Sequence, residues 1–338
     1  MKLTGVGRVA VGLVVAALLG LGYYYFGDKL KTISEQDKAQ EAGVVNTSES
    51  SSASATSEAS AGSSASASAS ESFNYQAAEP VGGKLKGVVE VGASGFNSFI
   101  VNIDKQKNWK LAKADFGNSM VMENMATDDD IRTGLKKYIS GMLDYGVGGK
   151  DIHFVVSSGA QKADNMVKII NVLKGMGYFV NTVTPEQEGG YGLKCVLPKE
   201  FEGNGFMADI GSGNTKISWK QNGTAAAVEA VGAKYFQKSM DDAAAYADVK
   251  SKAIQVPASK NGICFIIGGV PYEMAKEVRK AKERYVVLKN PEDYKMENAK
   301  SKAGVNIYKA IKDATGCKQF VFDCDANFTI GFLLGLPN

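Results

Sequence analysis

The feature that most restricts what this chain can fold into is the stretch Phe206-Met207-Ala208-Asp209-Ile210-Gly211-Ser212-Gly213-Asn214-Thr215-Lys216-Ile217-Ser218-Trp219. An apolar run ends in an acid, a small-residue turn follows at once, and alternating Ile217 and Trp219 open a second strand. That order predicts a β-hairpin with a glycine-rich tip. Gly211 and Gly213 let the backbone approach an anion and aim N–H groups at it. Ser212 and Thr215 add hydroxyls, and Asp209 is placed to hold a metal through water. The same D-x-G-x-G pattern also closes ordinary hairpins, so its meaning depends on what the rest of the chain brings to it.

Composition narrows the partners. With 338 residues, 44% of them hydrophobic, the chain can build one or two globular domains plus an appendage. A net charge of +3, with no Lys/Arg stripe interleaved with aromatics, speaks against nucleic acid as a partner. His153 is the single histidine, which nearly excludes a His-based triad or zinc site. Cys195, Cys264, Cys317 and Cys324 show no C-x-x-C pairing and sit mostly in apolar runs, as core residues do.

Val9 to Phe26 is an almost unbroken apolar run closing on Tyr23-Tyr24-Tyr25-Phe26, long enough to cross a bilayer as a helix with an aromatic belt. A cleaved signal peptide competes with this reading, but no small-x-small site precedes Gly27-Asp28-Lys29, so residues 1–31 are expected to form an uncleaved anchor. Basic residues flank the run on both sides (Lys2 and Arg8, then Lys29, Lys31 and Lys38), so the positive-inside rule leaves the orientation close to a tie. Residues 32–80 then run through a Ser/Ala-rich tract that cannot build a core and is expected to be a disordered linker.

From Lys84 the pattern is that of an α/β domain. Lys84 to Val91, Ser98 to Ile103 and Trp109 to Ala114 read as a meander. Thr127 caps a helix that buries Ile131, Leu135, Tyr138, Ile139 and Met142. Ile152 to Val156 is a buried strand, and Ala163 to Leu173 a helix. The order repeats from Phe206. Asn222-Gly223 joins two strands, and Gly232 to Tyr246 reads as a helix. Ile263 to Ile267 delivers a Gly268-Gly269 turn ahead of a helix from Tyr272 to about Lys282. Helical Val305 to Ile311, the strand Phe320 to Phe322 and an apolar segment from Asn327 to Leu336 end the chain. Two halves that each open with a glycine-tipped hairpin indicate a duplicated architecture, with lobes over 84–204 and 205–338.

Three glycine turns at the ends of buried strands suit a cleft that wraps phosphates, with a metal between the acids and the third turn against a base or sugar. This layout resembles the two-lobed, ribonuclease H-like fold of sugar kinases, chaperone ATPases and actin. Glu90-x-Gly92 looks like the first phosphate hairpin, Asp209-x-Gly211-x-Gly213 like the second, and Gly268-Gly269 like the adenosine-side turn. Within that superfamily the chain is most similar to the exopolyphosphatase/guanosine pentaphosphate phosphohydrolase (Ppx/GppA) family. Its D-x-G-S-N-S-F, T-x-x-x-R-x-A-x-N, x-E-E-A and D-I-G-G-G-S-T-E motifs have counterparts here in the same order. These are Glu90 to Phe96, Ser157 to Asn165, Glu186 to Gly189 and Asp209 to Lys216.

The resemblance implies a hydrolase of a phosphoanhydride in polyphosphate or a guanosine-tetraphosphate type nucleotide, which the apolar run Val9 to Phe26 would anchor to a membrane. Glu188 would be the base that activates water, and Glu90 and Asp209 would hold Mg²⁺. Gly92, Ala93, Ser94, Gly95, Gly211, Ser212, Gly213, Asn214, Thr215 and Lys216 would hold phosphate, with Gly268 and Gly269 on the nucleotide side. The alternative for Glu188 is a solvated loop acid. Three departures weaken the implied chemistry: Glu90 stands where the family has Asp, Gln161 where it has the phosphate-reading Arg, and Lys216 where it has Glu. Lys216 either returns a positive charge to the phosphates or replaces the metal by neutralising Asp209 and Glu90. A catalytically degenerate sensor or scaffold, or an actin-like ATPase assembling at the membrane, are therefore the competing readings. The expected setting is a bacterial inner membrane with the domain on its cytoplasmic face, and a homodimer is compatible with it.

Overall fold

In the computed structural model, residues 73–92, 95–116, 127–161 and 166–337 are described. The expected anchor, nearly all of the expected linker, and Ala93 and Ser94 lie outside them. Among the described residues no helix is long and apolar enough to cross a membrane.

Two sheets carry the same plan. The first runs in the order β3-β2-β1-β4-β5, from β1 (Lys84–Gly92), β2 (Gly95–Ile103), β3 (Trp109–Phe116), β4 (Ile152–Val156) and β5 (Val180–Thr182). The second runs β10-β11-β9-β6-β7-β8, from β6 (Gly205–Ile210), β7 (Asn214–Gln221), β8 (Thr224–Val231), β9 (Ile263–Ile267), β10 (Tyr285–Val287) and β11 (Gln319–Asp323). In each, an antiparallel meander is extended on its first strand's free side by parallel strands, β4 on β1 and β9 on β6. The duplication expected from the glycine turns is present as strand order.

The parallel strands read as continuous apolar runs because both of their faces are covered. Successive side chains alternate faces. Val89 and Val91 thus meet the helices α1 (Asp128–Asp144) and α2 (Met166–Gly175), through Leu135, Met142, Ile169 and Leu173. Val88 faces the other way, into a central core shared with Met207, Phe265 and Val321 of the second sheet. On the second sheet's far face, Phe206, Ala208, Cys264 and Ile266 pack with α4 (Asp242–Ala253), α5 (Gly269–Lys276) and α6 (Ala299–Thr315), through Val249, Met274, Ile307 and Ile311. The central core also takes Leu193 of α3 (Pro185–Val196) and Ile330 and Leu333 of α7 (Phe328–Gly335). The α7 helix is apolar all round, so it requires cover on every side. It finds that cover by returning to the first lobe, where Lys86 donates to Pro337 O at 3.3 Å and Lys107 to Leu336 O at 2.7 Å. The two lobes are therefore not simply sequential in the chain.

Local chemistry sets the ends of these elements. Thr127 and Asp130 form a reciprocal capping box at the start of α1, as expected. Asn222 and Gly223, with φ of 52° and 79°, supply the left-handed pair that a two-residue hairpin needs between β7 and β8. The helix expected over 232–246 is instead a 3-10 turn, Tyr235–Lys238, followed by α4 starting at Asp242. Ser239 at φ 57° stops the turn, and the Asp241 side chain accepts from Ala244 N–H to start the helix afresh. The α5 helix begins at the glycine turn itself rather than at Tyr272 and ends at Lys276. Asn298 and Gly316 cap α6 at lengths beyond the expected 305–311. Packing also reaches back into the expected linker, since Phe73 lies against Phe201, Phe265 and Tyr285.

One ion pair of the second lobe also touches the first. Arg284 grips fully buried Asp323 with Nε at 3.0 Å and Nη2 at 2.9 Å, and its guanidinium lies 3.9 Å from the ring of Trp109, at the start of β3 in the first lobe. Removing one partner of a buried pair strands the other's charge. Asp323→Asn is expected to lower stability by about 3–5 kcal/mol, read by chemical denaturation. A loss under about 1 kcal/mol, the value of an exposed pair, would show that the pair is not a structural clamp.

Candidate functional site

A cavity of about 530 Å³ opens where the three glycine turns meet, within the size range of small-molecule sites. Its wall includes Gly92, Gly211, Ser212, Gly213, Asn214, Gly268 and Gly269 together with Glu90, Glu188, Asp209 and Lys216. The structure thus brings together most of the described residues singled out from the sequence. Thr215 is an exception, because its hydroxyl turns away and donates to Val231 O at 2.8 Å. Gly95 pairs with Gly92 across the first hairpin. Gln161 also turns aside, donating to Val183 O at 2.6 Å, so its side chain is committed elsewhere.

Backbone geometry explains the third turn. Gly268 has φ +112°, and a Cβ there would lie 2.3 Å from Ile210 O. Only glycine lets this turn press against the end of β6, which places the start of α5 beside the phosphate-type hairpin.

The acids are organised around Lys216. Asp209 and Lys216 are directly opposite in the β6–β7 register, both buried, and Lys216 Nζ lies 3.8 Å from Asp209 Oδ2. The same ammonium contacts Glu188 Oε1 and donates to Asn214 Oδ1 at 2.9 Å. Glu188 is not a loop acid. Thr184 and Gln187 form a capping box that starts α3, and this turns Glu188 inward, where it is 2% exposed. Its Oε2 accepts from the Ser158 backbone N–H at 2.8 Å and from the Ser158 hydroxyl. Asn214 bridges outward, donating to Ser158 Oγ at 2.9 Å and to Glu229 Oε1 at 2.7 Å. Glu188 therefore has three donors on its two oxygens.

The titration of the cluster follows from this packing. Burial alone would push Lys216 down, but Asp209, Glu188 and Glu90 together carry it above the ordinary lysine value. Asp209 is raised by burial, with Lys216 opposing the shift. Glu90 is pushed up to about 7, chiefly by burial; amide donors from Asn97 and Asn327, each at 2.9 Å from Oε2, oppose the rise, and Glu188 and Asp209 add to it.

The donor set does not suit Mg²⁺. A hard dication needs several free oxygens in octahedral array, and here an ammonium already occupies the space between Asp209 and Glu188. Among the described residues no group of three or more His, Cys, Asp or Glu side chains is placed to share a metal ion. Of the two roles open to Lys216, neutralising the acids is the one the geometry supports.

Several lining residues had no signal as site residues. Asn327 and Asn298 are recognisable as helix caps, but only the return of α7 and the packing of α6 bring them to the cavity. Phe116, Tyr272 and Lys300 also line it.

No protein-family model matches the chain, and the search of curated proteins finds no match. Solved structures do match. The Ppx/GppA family member of Aquifex aeolicus superimposes with a TM-score of 0.55 at 15% identity, covering 75% of this chain and 97% of its own. An exopolyphosphatase from Cytophaga hutchinsonii gives 0.58 at 13% identity, covering 75% and 99%. An exopolyphosphatase-like protein gives 0.55 at 13% identity, covering 75% and 97%. At such identities the likeness is one of fold: the described chain has the two-sheet α/β fold seen in these Ppx/GppA and exopolyphosphatase structures.

Proposed function

We propose that the cleft is a binding site for a phosphorylated ligand in which the hydrolytic constellation has been locked, so that the protein senses or holds its ligand without metal-dependent turnover. The observation that carries this reading is Lys216 Nζ seated between Glu188 and Asp209. A general base must present an oxygen to water, whereas both oxygens of Glu188 are held by Lys216 and Ser158. The glycine turns keep the ability to meet phosphate oxygens with backbone N–H groups. The apolar run Val9 to Phe26 would fix this module to a membrane, with the domain on the cytoplasmic face where phosphorylated metabolites are abundant.

One observation favours a catalytic reading instead. Glu90 lines the cavity, and burial pushes its carboxyl up to about 7, a range where a carboxyl serves well as a general acid or base. In that case turnover would depend on Glu90 and not on Glu188.

Calorimetry with the full-length chain separates these readings from a magnesium-dependent hydrolase. Binding of at least one of ATP, GTP, guanosine tetraphosphate or polyphosphate is expected, with affinity unchanged within about threefold when Mg²⁺ is replaced by EDTA. An affinity that collapses without Mg²⁺ would overturn the locked-site reading.

A further inference from the structure

The cleft occupies one end of the second sheet, and the opposite end carries a surface for which the glycine turns have no use. Strands β6, β9 and β11 run parallel, and the residues that follow them, Gly211, Gly268 and Cys324, line the cavity. The segments that lead into these strands therefore lie at the far end. Hydrogen bonds join them into one surface. Lys260 Nζ donates to Glu202 O, Gly262 N–H to Asn204 O at 3.0 Å, and Asn261 Nδ2 to Thr315 O at 3.1 Å.

That surface is strongly cationic. Residues 197–204, 250–262 and 312–318 hold six lysines, Lys199, Lys250, Lys252, Lys260, Lys312 and Lys318, against three acids. Two of the acids are already matched by other lysines, Glu202 by Lys220 at 4.0 Å and Asp313 by Lys309 at 3.0 Å. Lysines in the last turn of a helix answer its dipole, which accounts for Lys250, Lys252 and Lys312 on α4 and α6. It does not account for Lys199 or Lys318, both exposed and outside the α-helices. Nor does it account for Ile254, which stands 66% exposed among them.

The chain itself enters at this end. Phe73, the first described residue, packs against Phe201 with ring centroids 5.6 Å apart. The apolar run closes at Phe26, so residues 27–72 separate it from that entry point. A flexible coil of that length spans roughly 35–40 Å, which keeps a membrane holding the run within reach of the lysines.

Resting on the membrane attachment proposed above, we infer that this end of the second lobe is a docking face for anionic lipid headgroups. The lysines meet the headgroups, Ile254 enters the interface, and the cleft opens away from the bilayer. Apolar burial and cationic charge reinforce each other in such contacts.

The test uses the full-length chain reconstituted into phosphatidylcholine vesicles, with or without about 30% phosphatidylserine as the anionic lipid. A fluorophore on Ile254→Cys reads contact with nitroxide-labelled headgroups. One on Val167→Cys, 67% exposed at the start of α2, gives the comparison, and the unsubstituted chain treated with the same reagent gives the background. Quenching at position 254 is expected to be at least about threefold greater on anionic than on neutral vesicles. It should be lost in 1 M NaCl, where screening shortens to about 3 Å. A lysine at an anionic surface strengthens attachment about fivefold. Lys199→Glu, Lys250→Glu and Lys318→Glu together should therefore weaken docking by at least about a hundredfold, and arginine at the same three positions should retain it.

Equal quenching on the two vesicles, equal quenching at position 167, or a wild-type signal from the glutamate variant would overturn the docking face and leave the anchor intact. Release of the chain from neutral vesicles by alkaline carbonate would overturn the anchor instead. The docking face would then stand if the chain sediments with anionic vesicles and the glutamate variant does not, and would fall with the anchor if neither sediments.

Discussion

Replacing Lys216 with methionine is expected to cost about 3–5 kcal/mol of stability at neutral pH, the penalty for breaking a buried ion cluster by removing one partner. Methionine keeps the length and apolar bulk of the stem, so the loss isolates the charge. Without the ammonium, Glu188, Asp209 and Glu90 are left facing one another in a buried site with no counter-ion. The vacated space then becomes a cation site. Millimolar Mg²⁺ should raise the melting temperature of Lys216→Met and leave the wild type unmoved, because only the variant offers carboxylate oxygens without a resident charge. Urea denaturation of both proteins, with Mg²⁺ or EDTA, reads the two effects together. A loss below about 1 kcal/mol, or equal Mg²⁺ stabilisation of both, would mean that Lys216 does not neutralise the acids.

The second large effect is on pH dependence. The carboxyl of Glu90 is held at about 7 in the folded protein against an ordinary 4.5. A folded pKa above the unfolded one means that the native state binds more protons between those values, so stability falls as pH rises through that window. The difference of about 2.5 units corresponds to roughly 3 kcal/mol of stability, fully present below pH 4.5 and lost as pH rises through about 7. Glu90→Gln removes this dependence while keeping an oxygen for the amide groups of Asn97 and Asn327. The variant should match the wild type near pH 4.5 and exceed it by up to about 3 kcal/mol at pH 8. Asp209 and Asp323 are also raised by burial and act in the same direction in both proteins, so the comparison cancels them. A constant difference between the two proteins across this range would show that Glu90 titrates like an exposed acid.

Much of the fold was legible because the strands are written in β-branched and aromatic runs bounded by glycine. Val88-Val89-Glu90-Val91 and Ile263 to Ile267 became the strands expected of them, and Phe206 to Trp219 the expected hairpin. Asn222-Gly223 and Thr127 are local signals that tertiary context did not override. The short strands β5 and β10 have three residues each and no periodicity to read. The helix over Glu188 was hidden by Gly189, Gly190 and Gly192, which weaken helix propensity, though Gly189 and Gly192 are needed there. A Cβ on Gly189 would lie 2.6 Å from Ser218 Oγ, and one on Gly192 2.7 Å from the Met207 side chain. Membership of the site was legible from motif order. What each member does was not, because the role of Lys216 depends on its register opposite Asp209 and on the inward turn of Glu188, both of which are tertiary facts.

The most direct measurement is inorganic phosphate release from guanosine tetraphosphate, GTP, ATP and polyphosphate by the full-length chain, with and without Mg²⁺, alongside Glu188→Gln and Glu90→Gln. The locked site predicts no release above the protein-free rate in any wild-type reaction, and no change from Glu188→Gln. Mg²⁺-dependent release that Glu188→Gln abolishes would contradict it, because it would require Glu188 to leave Lys216 and Ser158 and act on water.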